Sequence, residues 1–208
     1  MRSDLLDRLI SSALERPVRV SWQGGAADSL RGRFRSPSFE VQGVATAWLP
    51  LERIEARARS ARLLPGLPAR LAVEAPEVSI TVGQGDLDRW VGGAGLPFRL
   101  RLAESGLVVR TALAGVELSE IETTLEVVRG WFLLRPRRAR VLGIPSAAAS
   151  WFRTYLPLPP LSPEARLMGI DHTLGALTLH IGVDGFEEEL TPGLGGRLRR
   201  RLLPRFGS

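Results

Sequence analysis

The apolar residues of this chain recur at a spacing of two over most of its length, in short runs that glycine, proline and polar residues interrupt. Val18, Val20 and Trp22, for example, alternate with Arg19 and Ser21. Successive side chains of a β-strand point to opposite faces, so this alternation is typical of strands with one buried and one solvated face. The pattern predicts a protein built mainly of antiparallel strands.

The clearest part of the pattern lies between residues 97 and 142. An alternating run at 98–102 is followed by a Glu-Ser-Gly turn at 104–106 and a second apolar run, which is the signature of a hairpin. Two further runs meet at the Arg-Gly pair 129–130. We therefore expect a four-stranded antiparallel meander.

Three segments carry helical signals. Residues 3–16 place apolar side chains on one stripe and stop at Pro17, which predicts an amphipathic N-terminal helix. A short helix is expected at 87–91, and another is expected to follow the serine and alanines of 146–150. With roughly eight to ten strands, the predicted fold class is α+β, with helices laid on one face of an antiparallel sheet.

The residue inventory excludes several kinds of chemistry. The chain has no cysteine, so disulfides, thiolate catalysis and Cys-ligated zinc are excluded. It has no P-loop, no G-x-S-x-G elbow and no complete dinucleotide fingerprint. His172 and His180 would share a face only on an uninterrupted strand, and Gly175 stands between them. Asp184 and the acids at 187–189 lack the spacing of a calcium loop, so we predict neither a metal site nor a cofactor.

Several stretches carry a resemblance to a known family. They are VSITVGQGDLDRWV, GLVVRTALAGVELSEIETTLEVVRGWFLLRPRRARVLG and YLPLPPLSPEARLMGIDHTLGALTLHIGVDG, behind an N-terminal helix and a strand pair. In this order they resemble the bacterial LmeA-like phospholipid-binding proteins over most of residues 3–186. The resemblance implies an elongated, curved antiparallel sheet wrapped around helices, as in tubular lipid-binding folds. It also implies a phospholipid ligand and a role in the bacterial cell envelope.

A lipid ligand also follows from the physics of such a sheet. An apolar concave face has to be filled by helices or by a ligand, because empty apolar volume loses dispersion contacts and the gain from leaving water. An acyl chain fills such a space well, since each buried methylene contributes about 0.8 kcal/mol. No catalytic group is needed for this function.

The stretch WFRTYLPLPPLSPEARL, residues 151–167, combines aromatic residues with repeated Leu-Pro pairs. Its prolines disfavour both a long helix and a central strand. One interpretation makes it a rigid apolar lip at the open end of the sheet, and the other makes it a plug of the core. The predicted lipid-binding residues, chosen as large apolar side chains at or near this stretch, helices and turns, are Trp90, Phe98, Trp131, Trp151, Phe152, Tyr155, Leu156, Leu158 and Leu161.

Most of the excess positive charge of +6 lies at the C-terminal end. All 28 basic residues are arginines, and those after residue 195 have no acid beside them. On a short helix this segment forms a basic amphipathic surface suited to an anionic membrane; the other interpretation is a solvated tail. The predicted membrane-surface residues are Arg197, Arg199, Arg200, Arg201 and Arg205.

These features predict one lipid-binding domain at 1–194 and a basic, flexible tail at 195–208. The predicted function is non-enzymatic binding of a phospholipid or other acyl lipid, with peripheral contact to an anionic membrane and no nucleic-acid partner. The alternative is a structural or protein-interaction module whose core is filled by its own side chains and whose tail binds an acidic partner. Residues 1–16 do not have the pattern of a signal peptide, so we expect a cytoplasmic or peripheral membrane location, or the cell envelope if an export signal is missing.

Overall fold

The structure, a computed structural model, describes residues 8, 10–12, 14, 17–45, 50–93, 95, 97–113, 116–128, 131–146, 154–157 and 163–202. Fifteen strands and three helices have bounds within these residues. The strands are β1 (Val18–Gln23), β2 (Arg33–Ala45), β3 (Pro50–Arg57), β4 (Ser60–Leu64), β5 (Arg70–Glu74), β6 (Glu77–Gly83), β7 (Phe98–Ala103), β8 (Gly106–Leu113), β9 (Val116–Val128), β10 (Trp131–Val141), β11 (Ile144–Pro145), β12 (Thr154–Pro157), β13 (Ala165–Thr173), β14 (Ala176–Val183) and β15 (Phe186–Glu189). The helices are α1 (Ala26–Leu30), α2 (Gln84–Gly93) and α3 (Leu194–Leu202).

The larger sheet has nine strands, in the order β13-β14-β6-β3-β2-β4-β5-β15, with β1 paired to β2. Strand β2 is 13 residues long and pairs with three strands, β1 along one edge and β3 and β4 along the other. The backbone turns at Ser36, whose φ is 43°, between the parts of β2 that pair with β4 and with β3. Each pairing is antiparallel, as the alternation of polar and apolar residues predicts.

The smaller sheet has six strands, in the order β11-β10-β9-β8-β7, and β12 pairs with β10. The predicted four-stranded meander is confirmed as β7 to β10. Strands β11 and β12 lie along the outer edge of β10, at its two ends. Because β12 is an edge strand, its terminal Pro157 interrupts no ladder in the middle of the sheet.

Two clusters of buried side chains form the core. The first draws on β1, β2, β4 and β5, and its centre includes an edge-to-face contact between Trp22 and Phe34 with ring centroids 5.2 Å apart. Ile10 belongs to this cluster, and the described residues of the predicted N-terminal helix are helical. The second cluster lies on β3, β6, β13 and β14, and Trp90 of α2 packs against it. Helix α2 therefore covers part of the second cluster.

Three expectations about secondary structure need correction. The described residues hold fifteen strands, more than the predicted eight to ten, because short strands such as β4, β11 and β15 have little periodicity of their own. The strands form two sheets, although the layer prediction assumed one. Tyr155, predicted to lie on a short helix, lies in strand β12, whose pairing with β10 overrides the local preference. The coarser expectation of a largely antiparallel protein with few helices is confirmed.

None of the helices that the structure describes has the length and apolar character needed to cross a membrane.

A substitution at the start of β8 tests the pairing of β8 with β9 in the smaller sheet. Gly106 has a φ of 139°, and a Cβ built on it would lie 2.1 Å from the carbonyl oxygen of Thr123 on the neighbouring strand. We expect Gly106→Ala to lower the free energy of unfolding by about 3 kcal/mol, because both the φ angle and the close approach require glycine. Urea unfolding monitored by tryptophan fluorescence measures this change. Gly85→Ala is the matched control, since nothing lies within 4 Å of its Cβ position, and equal stability of the two variants would contradict the register of β8 and β9.

Candidate functional site

One face of the larger sheet is apolar across four strands. The strand register places Ile54, Ile80, Leu179 and Ile170 side by side in one row that crosses β3, β6, β14 and β13. Ile80 is buried, whereas the other three residues of the row are half-buried. The apolar face is therefore well covered along β6 and less covered toward β13.

The smaller sheet carries a second apolar face. Leu100, Val109 and Ile121 form a row across β7, β8 and β9, and all three are half-buried. Farther along the same face, Leu125 lies opposite Leu134, and both are half-buried. This face and the face of the larger sheet described above are called the apolar faces of the two sheets.

Gln84, the first residue of α2, joins the two sheets. Its side-chain Nε2 donates to the carbonyl oxygen of Leu100 at 2.8 Å, and its Oε1 accepts from the backbone N–H of Leu102 at 2.7 Å. Gly175, in the turn between β13 and β14, accepts from the Gln84 N–H at 2.8 Å and donates to the Leu102 carbonyl at 3.2 Å. Strand β7 is thus bonded directly to the end of the larger sheet.

His172 is a polar side chain on the apolar face of the larger sheet. It lies opposite Leu177 on β14, which in turn lies opposite Val82 on β6. Both of its ring nitrogens are inaccessible to solvent, and neither has a hydrogen-bond partner among the residues that the structure describes. A buried polar group without a partner costs about 1–3 kcal/mol, so this residue is a local weakness of the fold or a point that a ligand satisfies.

Replacing this histidine tests its energetic role. We expect His172→Leu to raise the free energy of unfolding of lipid-free protein by about 1–2 kcal/mol, because leucine removes two unsatisfied buried nitrogens and keeps the apolar contacts. Urea denaturation at constant pH measures the change. His180→Leu is the matched control on the same hairpin, and it should give no gain because that imidazole is hydrogen-bonded. A His172→Leu variant that is less stable than wild type would show that the ring nitrogens have partners.

The opposite, polar face of the larger sheet holds a group that the sequence analysis did not predict. Nδ1 of His180 lies 3.1 Å from Oγ of Ser79, and its Nε2 lies 2.9 Å from Oδ2 of Asp171. The order of side chains is that of a nucleophile, a base and an orienting acid. Hydrolysis also needs backbone N–H donors aimed at an oxyanion, and β6, which carries Ser79, is paired on both sides. The group therefore acts as a polar cross-strand row.

His172 and His180 lie on opposite faces of the β13–β14 hairpin. His172 is opposite Leu177, and His180 is opposite Gly169. The turn at Gly175, with a φ of 77°, reverses the chain between them, so the even spacing in the sequence does not bring them together. Two of the acids that lack calcium-loop spacing are paired with arginines: Glu187 lies 2.7 Å from Arg70 and Asp184 lies 3.4 Å from Arg166.

The predicted lipid-binding residues fall into three groups. Trp90 and Phe98 are half-buried, on α2 and β7 respectively, and these two elements are in contact. Trp131 lies in β10, and Tyr155 and Leu156 lie in the neighbouring β12. The remaining four, Trp151, Phe152, Leu158 and Leu161, lie outside the described residues. The structure therefore places five of the nine on α2 and the smaller sheet.

The basic segment begins as helix α3. The first residue of this helix, Leu194, is only 2% exposed and so holds the helix to the domain. Nε of Arg197 lies 3.2 Å from Glu188 on the larger sheet, so this guanidinium already has an anionic partner within the protein. Arg199, Arg200 and Arg201 follow on the same helix, and Arg205 lies outside the described residues.

No family model, curated protein or solved structure matches this chain. The candidate function therefore depends on the chain's own residues and geometry.

Proposed function

We propose that this chain is a non-enzymatic lipid-binding protein that acts at or near the bacterial membrane or cell envelope. Acyl chains of a phospholipid would lie against the apolar faces of the two sheets, which would curve around the N-terminal helix and α2 to form a groove. The observation that carries the proposal is the half-buried state of Ile54, Leu179 and Ile170 in a row whose fourth member, Ile80, is buried. Continuous apolar surface that the chain covers only in part is typical of ligand-binding and interaction sites.

The energies are of the right size for a lipid. Each methylene that leaves water contributes about 0.8 kcal/mol, so eight methylenes contribute about 6 kcal/mol before the cost of association. Val109, Ile121 and Leu125 supply branched side chains of the kind that pack around an acyl chain. A bound chain would complete the burial of these side chains.

His172 gives the proposed groove a polar group. Its two ring nitrogens are buried without partners on an otherwise apolar face. A neutral imidazole has one donor and one acceptor nitrogen, so it would bond a hydroxyl or an ester carbonyl of a lipid that displaces the side chains covering it. Such a bond would offset the cost of burying the imidazole.

The apolar rim of the groove is assigned to the segment that joins the smaller sheet to β13. Trp131, Tyr155 and Leu156 lie on the paired strands β10 and β12 at the start of this segment. The proline-rich residues that follow in the sequence, 157–161, would stiffen a lip at the open end.

Blocking the groove is the first test. We expect Ile121→Trp to weaken lipid binding about tenfold, because the larger ring displaces roughly two methylenes of the ligand, and two methylenes are worth about 1.6 kcal/mol. Glu122→Trp is the matched control, since it adds the same ring to the next residue of β9, on the opposite face. Native mass spectrometry of gently purified protein and titration with a fluorescent phospholipid measure binding.

Wild-type protein that is free of lipid and takes up no fluorescent phospholipid would overturn this proposal. Equal lipid binding by both tryptophan variants would show that the ligand does not lie against the smaller sheet.

Helix α3 is proposed to draw the protein to anionic membranes. Each arginine near such a surface contributes about 1 kcal/mol, so Arg199→Gln with Arg200→Gln should lower binding to phosphatidylglycerol vesicles about 30-fold. The effect should disappear at high salt, which screens these charges. Flotation measures it, and Arg31→Gln with Arg62→Gln is the control that removes the same charge elsewhere. Identical losses in both double variants would mean that net charge, and not this helix, attracts the membrane.

A second function is favoured by the packing of Trp90. This side chain lies against the buried cluster on β6, β13 and β14, so part of the apolar face is filled by the chain itself. If this filling is complete, the protein is an interaction module whose α3 binds an acidic partner. Lipid-free protein that binds a polyglutamate peptide would favour this function.

A further inference from the structure

The end of the smaller sheet that lies farthest along β8 from the Gln84 junction exposes a cluster of large apolar side chains. We call this cluster the distal tip. It comprises the described residues at the end of β8 and the start of β9, together with the turn between β10 and β11, which is bonded to β9 through the Leu142 N–H and the Leu118 carbonyl. Its side chains are between 37% and 69% exposed: Leu113, Val116, Leu118, Val141, Leu142 and Ile144.

The backbone at Leu142 shows that folding alone does not favour leucine there. Leu142 and Gly143 connect β10 to β11 and have φ angles of 50° and 78°. Two consecutive residues with positive φ form the type I′ hairpin turn, in which asparagine followed by glycine is preferred. Leucine is costly in the left-handed region, and its side chain is 62% exposed, so it gains little burial in return. The choice of leucine at this position points to an apolar partner outside the chain.

The turn is also suited to an environment poor in water. The backbone N–H of Leu142 donates to the carbonyl of Leu118 at 2.9 Å, and the N–H of Ser146 donates to the carbonyl of Ala139 at 2.8 Å. A backbone N–H or C=O group without a partner loses its hydrogen bonds to water when it enters the acyl region of a bilayer, which costs free energy. Groups that are already paired within the chain can approach this region without that cost.

The charges beside the distal tip match a zwitterionic headgroup. A cavity of about 180 Å³ adjoins the tip and is lined by Glu117, Leu118, Ser119, Glu120, Arg140 and Gly143. Arg140 is exposed and, among the described residues, takes part in no ion pair, so it is available to a phosphate. Glu117, which also lines the cavity, is exposed and suits the ammonium group of choline or ethanolamine.

The size of the tip favours a membrane over a protein partner. A stable protein interface uses about 20–30 residues on each side, whereas the tip offers six large apolar side chains. Six residues separate Leu107, near the junction, from Leu113 at the tip, which is about 20 Å along a strand. The tip can therefore enter the headgroup layer while the larger sheet remains outside it.

We propose that the distal tip inserts into the headgroup layer of a phospholipid bilayer and that the adjoining cavity binds a zwitterionic headgroup. This inference adds a membrane contact to the proposed function, and it requires neither lipid in the groove nor the arginines of α3.

The test uses the full chain and Leu142→Asn with Ile144→Ser. We expect wild-type protein to float with phosphatidylcholine vesicles at both low and high salt, and the double variant to show at least about a tenfold lower partition coefficient, since two exposed aliphatic side chains are lost. The melting temperature of the single variant Leu142→Asn should not fall, because asparagine tolerates the left-handed conformation. The matched control is Leu174→Asn, whose side chain is 70% exposed in the turn between β13 and β14, and it should float as wild type does.

Wild-type protein that ignores phosphatidylcholine vesicles, or a tip variant that binds them as well as wild type, would overturn the inference. Binding that is restricted to anionic vesicles and lost at high salt would assign membrane contact to α3 and would also overturn it. The tip variant could lose flotation but still carry lipid in native mass spectrometry. This result would support membrane insertion of the tip and would show that the groove is a separate site. Protein that floats through the tip but carries no lipid would support the tip and overturn the groove.

Discussion

The arrangement of the two sheets depends on the hydrogen bonds that Gln84 and Gly175 make at strand β7. Gln84 bonds the carbonyl of Leu100 and the N–H of Leu102, so its amide gives β7 one donor and one acceptor in the way that a neighbouring strand would. Strand β7 is the edge of the smaller sheet, where free backbone groups would otherwise be open to solvent or to another chain. The same Nε2 donates to Asp88 at 2.7 Å, which fixes the amide orientation within α2. These hydrogen bonds of the Gln84 side chain, called the clamp below, therefore pair backbone groups at the edge of the smaller sheet. They also set the position of one sheet relative to the other.

This clamp explains why both sheets can keep apolar faces that they cover only in part. In a sandwich of two stacked sheets, inner faces bury one another about 10 Å apart. Here the smaller sheet is bonded by its edge strand β7 to the start of α2 and the β13–β14 turn, where contacts between the elements concentrate. Edge attachment leaves Val109, Ile121 and Leu125 half-buried. The apolar area that the proposed lipid would use thus follows from how the sheets are joined.

Local periodicity was sufficient to predict the strands with two well-patterned faces, and insufficient for features set by pairing between distant segments. The run at Val18, Val20 and Trp22 and the hairpin that turns at Gly106 were predicted because alternation and turn chemistry are local. The short strand β12 was predicted as a helix because its pairing with β10, about twenty residues earlier in the chain, leaves no local signal. The side-chain clamp of Gln84 and the row Ser79, His180 and Asp171 also exist only through such pairing. A single sequence holds no direct record of these contacts.

Residue choices that folding explains can be separated from those that it does not, and the separation bears on where the membrane contact lies. Arg197, which the sequence marks as a membrane residue, bonds Glu188 and so has a role in holding α3 to the larger sheet. Leu142 is the reverse case, since its φ of 50° favours asparagine or glycine and its side chain finds little burial. Natural sequences are locally consistent with their folds, and departures from that consistency concentrate at functional positions. By this criterion the distal tip is a stronger candidate for membrane contact than the first turn of α3. A basic helix would then act at longer range, by attracting the protein to an anionic surface that the tip enters.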